Sequence, residues 1–269
     1  MAAPTFDAAA DGGGITDAGT AWSYGGGSPT AGQLVIAQIL QDGNINGAVT
    51  VTGAGTGVVE NLAGTDDAWT QIVGGNADGS FPIGSPAAAR QHLYIGRALS
   101  TSPVVISGDN TTDDLYIRVY HFDDVSTGTT LATVIENATA GSTVNSAGTS
   151  ATIADASVQT LGADRLALNF VAGNDDNALD AFTGMTGGTW AEAIAEYATA
   201  TGTDGVIGLQ TATMATAGTI DGGTDGWADA ADSWGVVGFA LLPAAAATPA
   251  SLIYQPGLQV AIPRSLYVR

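Results

Sequence analysis

Apolar residues recur at every second position through many short stretches, and Gly, Asp, Asn, Ser and Thr separate those stretches at close intervals. This is the pattern of strands joined by turns. The clearest stretch is 114–122, where Leu115, Ile117, Val119 and His121 fall on one side and Tyr116, Arg118, Tyr120 and Phe122 on the other. Stretches 33–41, 91–98, 103–107, 165–172 and 234–242 also read as strands, several apolar on both sides, which suits strands inside a packed sandwich. Shorter strands are predicted over 48–52, 69–73, 131–137, 149–154 and 206–214. Residues 189–200 point two ways: Ala and Glu are abundant and Trp190, Ile194 and Tyr197 stand at helical spacing, yet alternation also orders them. The surrounding β pattern favours a strand there. The fold class expected is all-β: an antiparallel β-sandwich, jelly-roll-like, with an extended C-terminal tail.

The chain divides by composition. Residues 1–31 form an N-terminal segment expected to pack on or near the sandwich, residues 32–243 the sandwich itself, and 244–249 a linker of small residues between Pro243 and Pro249. Residues 250–269 differ from everything before them. They carry Leu252, Ile253, Tyr254, Leu258, Val260, Ile262, Leu266, Tyr267 and Val268 with Arg264 and Arg269, and no acid. All 26 acids lie at or before Asp232 and lysine is absent, so residues 1–232 hold a formal charge of −22 while the whole chain of 269 residues carries −20.

That charge makes nucleic acid an unsuitable partner, because phosphates gain nothing from an acidic surface. The absence of cysteine removes disulfides and thiolate metal sites. No uncharged apolar run approaches the roughly 18 residues that span a bilayer, and the start of the chain lacks a basic and then apolar leader pattern. No membrane insertion is expected, and the sequence reads as that of a soluble protein without a signal peptide.

Few residues offer chemistry. The two histidines, His92 and His121, both fall within predicted strands, without a nucleophile elbow, a zinc-binding helix motif or a phosphate loop to accompany them. The adjacent acids Asp66 and Asp67, Asp113 and Asp114, Asp123 and Asp124, and Asp175 and Asp176 sit where turns are expected, and Asp there commonly satisfies local backbone N–H groups. One cation candidate remains. Asp221, Asp225, Asp229 and Asp232 occupy positions one, five, nine and twelve of a window with Gly226 at six, a partial match to a calcium loop. Position three is Gly223 and the last ligand is Asp instead of Glu, so an acidic surface loop is the competing reading. Asn110 and Asn137 head glycosylation triplets that carry little weight without a leader. A glycan platform would draw on Trp22, Tyr24, Trp69, Trp190, Trp227 and Trp234, of which Trp69 and Trp234 read as core and Trp227 as the exposed ring.

The ordered runs 32–43, 68–72, 114–125, 157–173 and 233–243 (GQLVIAQILQDG, AWTQI, DLYIRVYHFDDV, SVQTLGADRLALNFVAG and SWGVVGFALLP) resemble a group of tailed-bacteriophage virion proteins built on β-sandwich modules. The likeness covers residues 32–243. It departs from their pattern where Gly64, Thr65, Asp66 and Asp67 replace a proline-rich lead into the first Trp, and residues 250–269 lie outside the module. The resemblance implies a non-enzymatic virion component of capsid-decoration, tail or fibre type, whose partners are copies of itself and other virion proteins. In that setting Leu252, Ile253, Tyr254, Leu258, Val260, Ile262, Arg264, Leu266, Tyr267 and Arg269 form an interface. Burying about 500 Å2 of such a tail supplies about 12 kcal/mol of gross apolar stabilisation before ordering costs. The alternatives are a tail folded back over its own sandwich, and an adhesin that binds receptor or carbohydrate through Trp227 and the Asp221 to Asp232 loop. A polysaccharide-cleaving enzyme would need two carboxylates facing across a cleft.

Overall fold

The computed structural model describes residues 2–9, 13–15, 21–42, 49–76, 78–84, 89–109, 114–136, 142–145, 152–154, 157–174, 182–197, 205–226 and 233–245. The strands of the first half are β1 (Thr5–Ala9), β2 (Gly13–Ile15), β3 (Trp22–Gly26), β4 (Leu34–Asp42), β5 (Thr50–Gly53), β6 (Val59–Glu60), β7 (Thr70–Ile72), β8 (Phe81–Ile83), β9 (Ala89–Ala98), β10 (Val104–Asp109) and β11 (Asp114–Asp123). A helical turn, α1 (Leu131–Val134), leads into the second half. There follow β12 (Ile135–Glu136), β13 (Ser142–Asn145), β14 (Thr152–Ala154), β15 (Ser157–Thr160), β16 (Arg165–Asn174), β17 (Thr189–Tyr197), β18 (Gly205–Met214), β19 (Gly218–Asp221), β20 (Thr224–Gly226) and β21 (Ser233–Leu241). The protein is all-β, and every ladder between these strands is antiparallel.

Two large sheets form the sandwich. The first runs β1-β11-β4-β9-β6, with β2 also on β11 and β7 and β8 also on β9; the second runs β12-β21-β16-β18-β17, with β13 also on β21. Strand alternation sends Leu34, Ile36, Leu93, Ile95, Tyr120 and Phe122 from the first sheet against Leu166, Leu168, Phe170, Leu209, Val237, Phe239 and Leu241 from the second. Phe170 sits at the middle of this layer, edge-on to Tyr120 at 5.7 Å and stacked on Phe239 at 5.4 Å between ring centroids.

The stack does not stop at two sheets. The outer face of the first sheet, with Val35, Ala37, Ile39, Leu115, Ile117 and Val119, is covered by the three-stranded sheet β3-β10-β5 through Trp22, Val104 and Ile106. The outer face of the second is covered by the β15-β19 pair through Val158 and Ile220, and by Phe182 against Val171, Val206, Trp234 and Val236. This explains why β4 and β21 are apolar on both faces: each is sandwiched twice.

Both large sheets share one connectivity. In each, the first long strand (β4, β16) lies between the next long strand (β9, β18) and the last (β11, β21). Short leading strands (β1 and β2, β12 and β13) pair with the last, and intervening strands (β6 to β8, β17) flank the second. The registers match too. Leu34 opposes Phe122 and Leu166 opposes Leu241, so Gln38 in the first half occupies the place of Phe170 in the second. The two halves clasp where they end: Val125 bridges Pro243, Ser126 N–H donates to the Leu242 carbonyl at 2.8 Å and Ala244 N–H to that of Asp124 at 2.7 Å.

Part of the sequence expectation over 131–137 is corrected here. Leu131–Val134 is a helical turn because Thr130 and Thr133 satisfy one another locally, Thr130 N–H donating to Thr133 Oγ1 at 3.1 Å, and among the described residues of that stretch Ile135–Glu136 is strand. Residues 189–197 are strand, paired residue for residue with β18.

Candidate functional site

The buried polar groups are where chemistry would reside, and several of them belong to structural contacts. His92, on the outer face of β9, is fully buried; its Nε2 lies 3.1 Å from Gln41 Oε1, while Nδ1 has no partner among the described residues. This arrangement fixes the neutral tautomer with the proton on Nε2. Burial, reinforced by Arg90 and opposed by Asp78, pushes its pKa down to about 4. Beside it Arg90 Nη1 pairs with Asp78 Oδ2 at 2.6 Å. Burial would raise the Asp78 carboxyl, but the Ser80 hydroxyl and N–H, donating to Oδ1 at 2.6 and 3.0 Å, together with His92 and Arg90 hold it below its ordinary value.

His121 is also buried, and burial lowers its pKa against the pull of Asp7 and Asp123. Those two acids share one donor: Gln33 Nε2 lies 2.8 Å from Asp7 Oδ2 and 2.9 Å from Asp123 Oδ1, tying β1 and β11 to the start of β4. No hydrogen bond joins either imidazole to a hydroxyl among the described residues. A second amide system crosses the sandwich. Tyr120 Oη donates to Gln38 Oε1 at 2.7 Å, and Gln38 Nε2 donates to Gln91 Oε1 and to the Val171 carbonyl of the opposite sheet at 2.8 Å. Sequence reading gave no hint of it, since a glutamine within an apolar run looks like any surface alternation until its partner strand is known.

The acids of the described turns serve the backbone. Asp66 Oδ1 accepts from Asp67 N–H at 2.8 Å and Gly57 N–H at 3.2 Å, and Asp67 Oδ1 accepts from Ala54 N–H at 2.6 Å, with Asp67 itself at φ 54°. Asp124, at φ 55°, turns the chain out of β11. Of the calcium candidates, Asp221 closes β19 and its Oδ1 accepts from Gly223 N–H at 2.9 Å, while Asp225 lies within β20 opposite Ile153. Asp229 and Asp232 fall outside the described residues, as do Asp113, Asp175, Asp176, Asn110 and Asn137. Among the described residues no three His, Asp or Glu side chains gather as metal ligands.

The aromatic candidates are dispersed. Trp22 is buried under β3-β10-β5 with Tyr24 and Trp69 partly buried on the same cluster, Trp234 is buried beyond the other large sheet, and Trp190 rests half-buried against Ala212 and Met214. Trp227 lies outside the described residues, and so does the entire apolar segment from Leu252 to Arg269 that carries the interface candidates. Among the described residues no helix is long and apolar enough to cross a membrane.

What remains open is an edge. β17 is hydrogen-bonded to β18 on one side, and among the described residues nothing pairs with the other. Sequence reading weighed helix against strand there and so missed this consequence. Comparison of the chain with protein-family models, with curated proteins and with solved structures finds no match.

Proposed function

We propose that this protein is a non-enzymatic structural subunit of a phage particle, an acidic β body of capsid-decoration or tail-associated type, anchored to neighbouring subunits through residues 250–269. The observation that carries the reading is the polarity of the chain: a body of charge −22 whose sheets are filled by its own side chains, followed by twenty residues with nine large apolar side chains, two arginines and no acid. Such a body repels its copies at long range and stays dispersed, while the tail supplies apolar area and favourable charge on contact. The phage setting rests on the likeness of the strand runs; the tail's role rests on its composition.

Deleting residues 250–269 tests it. Sedimentation velocity should show the full chain associating with concentration and the shortened chain remaining monomeric, with an unchanged far-ultraviolet β spectrum; in particles assembled with the shortened chain, its incorporation should be lost. A shortened chain that associates and is incorporated like the full one refutes the proposal. Intact assembly with altered glycan binding would favour an adhesin.

A further inference from the structure

Edge strands invite pairing with foreign chains, and folded proteins blunt them by shortness, bulges, proline or lysine. Among the described residues the other edges of the two large sheets are blunted. β2, β6, β7, β8, β12 and β13 have three, two, three, three, two and four residues; β1 is interrupted by a register shift between Phe6 and Ala8, and β5 by one opposite Ser107. β17 is different. It is nine residues long, has no proline, and keeps an unbroken register from Thr189 opposite Thr213 to Tyr197 opposite Gly205. The shared connectivity of the two halves provides an internal control: the place that β17 fills in the second sheet is divided among β6, β7 and β8 in the first. The same edge is therefore broken up once and left whole once.

Charge selects what can add to it. Two copies of β17 would bring Glu192 and Glu196 of each into one sheet, within bodies that each carry −22. The last twenty residues contain no acid and include Arg264 and Arg269. Within them Pro256 and Pro263 bracket six residues, Gly257 to Ile262, in which Leu258, Val260 and Ile262 alternate with Gln259 and Ala261. That is a strand period with a stop at each end.

Direction favours another molecule's tail, because the chain's own, to lie antiparallel, must first run the length of β17 with residues 242–256 and turn back. Leu241, where β21 ends, opposes Leu166, which opposes Thr213, which opposes Thr189. The chain thus leaves its own sheet at the Thr189 end of β17, and a tail running directly along that edge would lie parallel to β17, in a protein whose described ladders are all antiparallel. A tail from another molecule has no such constraint.

We propose that the open edge of β17 accepts residues 257–262 of a second copy of this chain as an added antiparallel strand. This rests on reading residues 250–269 as the assembly segment, and names its acceptor.

Because the chain has no cysteine, disulfide trapping is unambiguous. Full-length protein carrying Ala191→Cys, Ala191 being exposed, is mixed with differently tagged full-length protein carrying Gln259→Cys or Ala261→Cys, then oxidised. The expected result is a disulfide-linked dimer bearing both tags. A doubly substituted chain that closes only within its own monomer overturns the proposal in favour of self-docking, and the absence of any linkage overturns it outright. In a second measurement Ala191→Pro and Glu192→Pro are compared, since strand alternation points the N–H of one of them away from β18. The variant that keeps its β spectrum should associate at least tenfold more weakly. If it associates normally while deletion of 250–269 abolishes association, the tail still drives assembly but β17 is not its acceptor. If that deletion has no effect, both readings fall.

Discussion

At pH 7 the His92 imidazole is neutral and donates from Nε2 to Gln41, and a second proton would enter Nδ1, where no acceptor waits among the described residues. Its pKa is about 4 in the fold against an ordinary 6.5. As pH falls, the unfolded chain binds this proton first, so the contribution to stability is whole above about pH 6.5 and is lost on the way down to about 4. The gap corresponds to about 3 kcal/mol in full, and linkage places about 1 kcal/mol of the loss by pH 5.5 and about 2 kcal/mol or more by pH 4.5. His121, lowered by burial, adds in the same direction, whereas Asp78, held below its ordinary 3.8, gives up its contribution only at lower pH. Between pH 7 and 4.5 both histidines act, and a substitution at His92 isolates its share.

Urea denaturation at pH 7, 5.5 and 4.5 measures this directly. The native sequence should lose at least 2 kcal/mol across the interval, and His92→Gln, which can still donate to Gln41, should lose markedly less, whatever its stability at pH 7. The comparison uses the slope with pH, so a packing defect in the variant does not imitate the effect. Equal losses in the two proteins would show that His92 is reached by solvent or finds an acceptor, and would refute the reasoning.

Two further substitutions probe the sandwich. Phe170→Ala removes the ring shared by Tyr120 and Phe239 at the centre of the layer and should cost about 3–5 kcal/mol in denaturation experiments; a loss under 1 kcal/mol would mean that the sheets close over the cavity. Gln38→Leu strips partners from Tyr120 Oη, Gln91 Oε1 and the Val171 carbonyl and should cost about 3 kcal/mol, while combining it with Tyr120→Phe should cost less than the sum by more than about 1 kcal/mol; strict additivity would deny the network.

Strand periodicity was legible wherever the strand is long and its alternation regular, as at Asp114–Asp123 and Arg165–Asn174. It failed where local bonding wins, as at Thr130 and Thr133, and where strands are short and rich in Gly and Ala, as at β1, β2 and β3. The histidines and the Asp66 and Asp67 turn could be read because burial and turn chemistry are local properties. The glutamine network could not. Gln38, Gln91 and Tyr120 come from three strands, and their polarity has meaning only once register sets them against Val171 on the opposite sheet.

The repeated connectivity was hidden for a related reason. Equivalent positions keep their place in the ladder and not their chemistry, so Gln38 answers Phe170 and Arg118 answers Val237. Two halves with the same strand order can tolerate this because each needs only side chains that fill the common layer between them: one half contributes a hydrogen-bonded amide and a tyrosine, the other a stack of phenylalanines. The two halves differ most at their edges. The first half places three short strands beside β9, and the second a single long strand whose other side is unpaired among the described residues. An acidic surface opposes pairing of such an edge with a second copy of itself, and the segment proposed to fill it should then carry no acid. Residues 250–269 meet that condition.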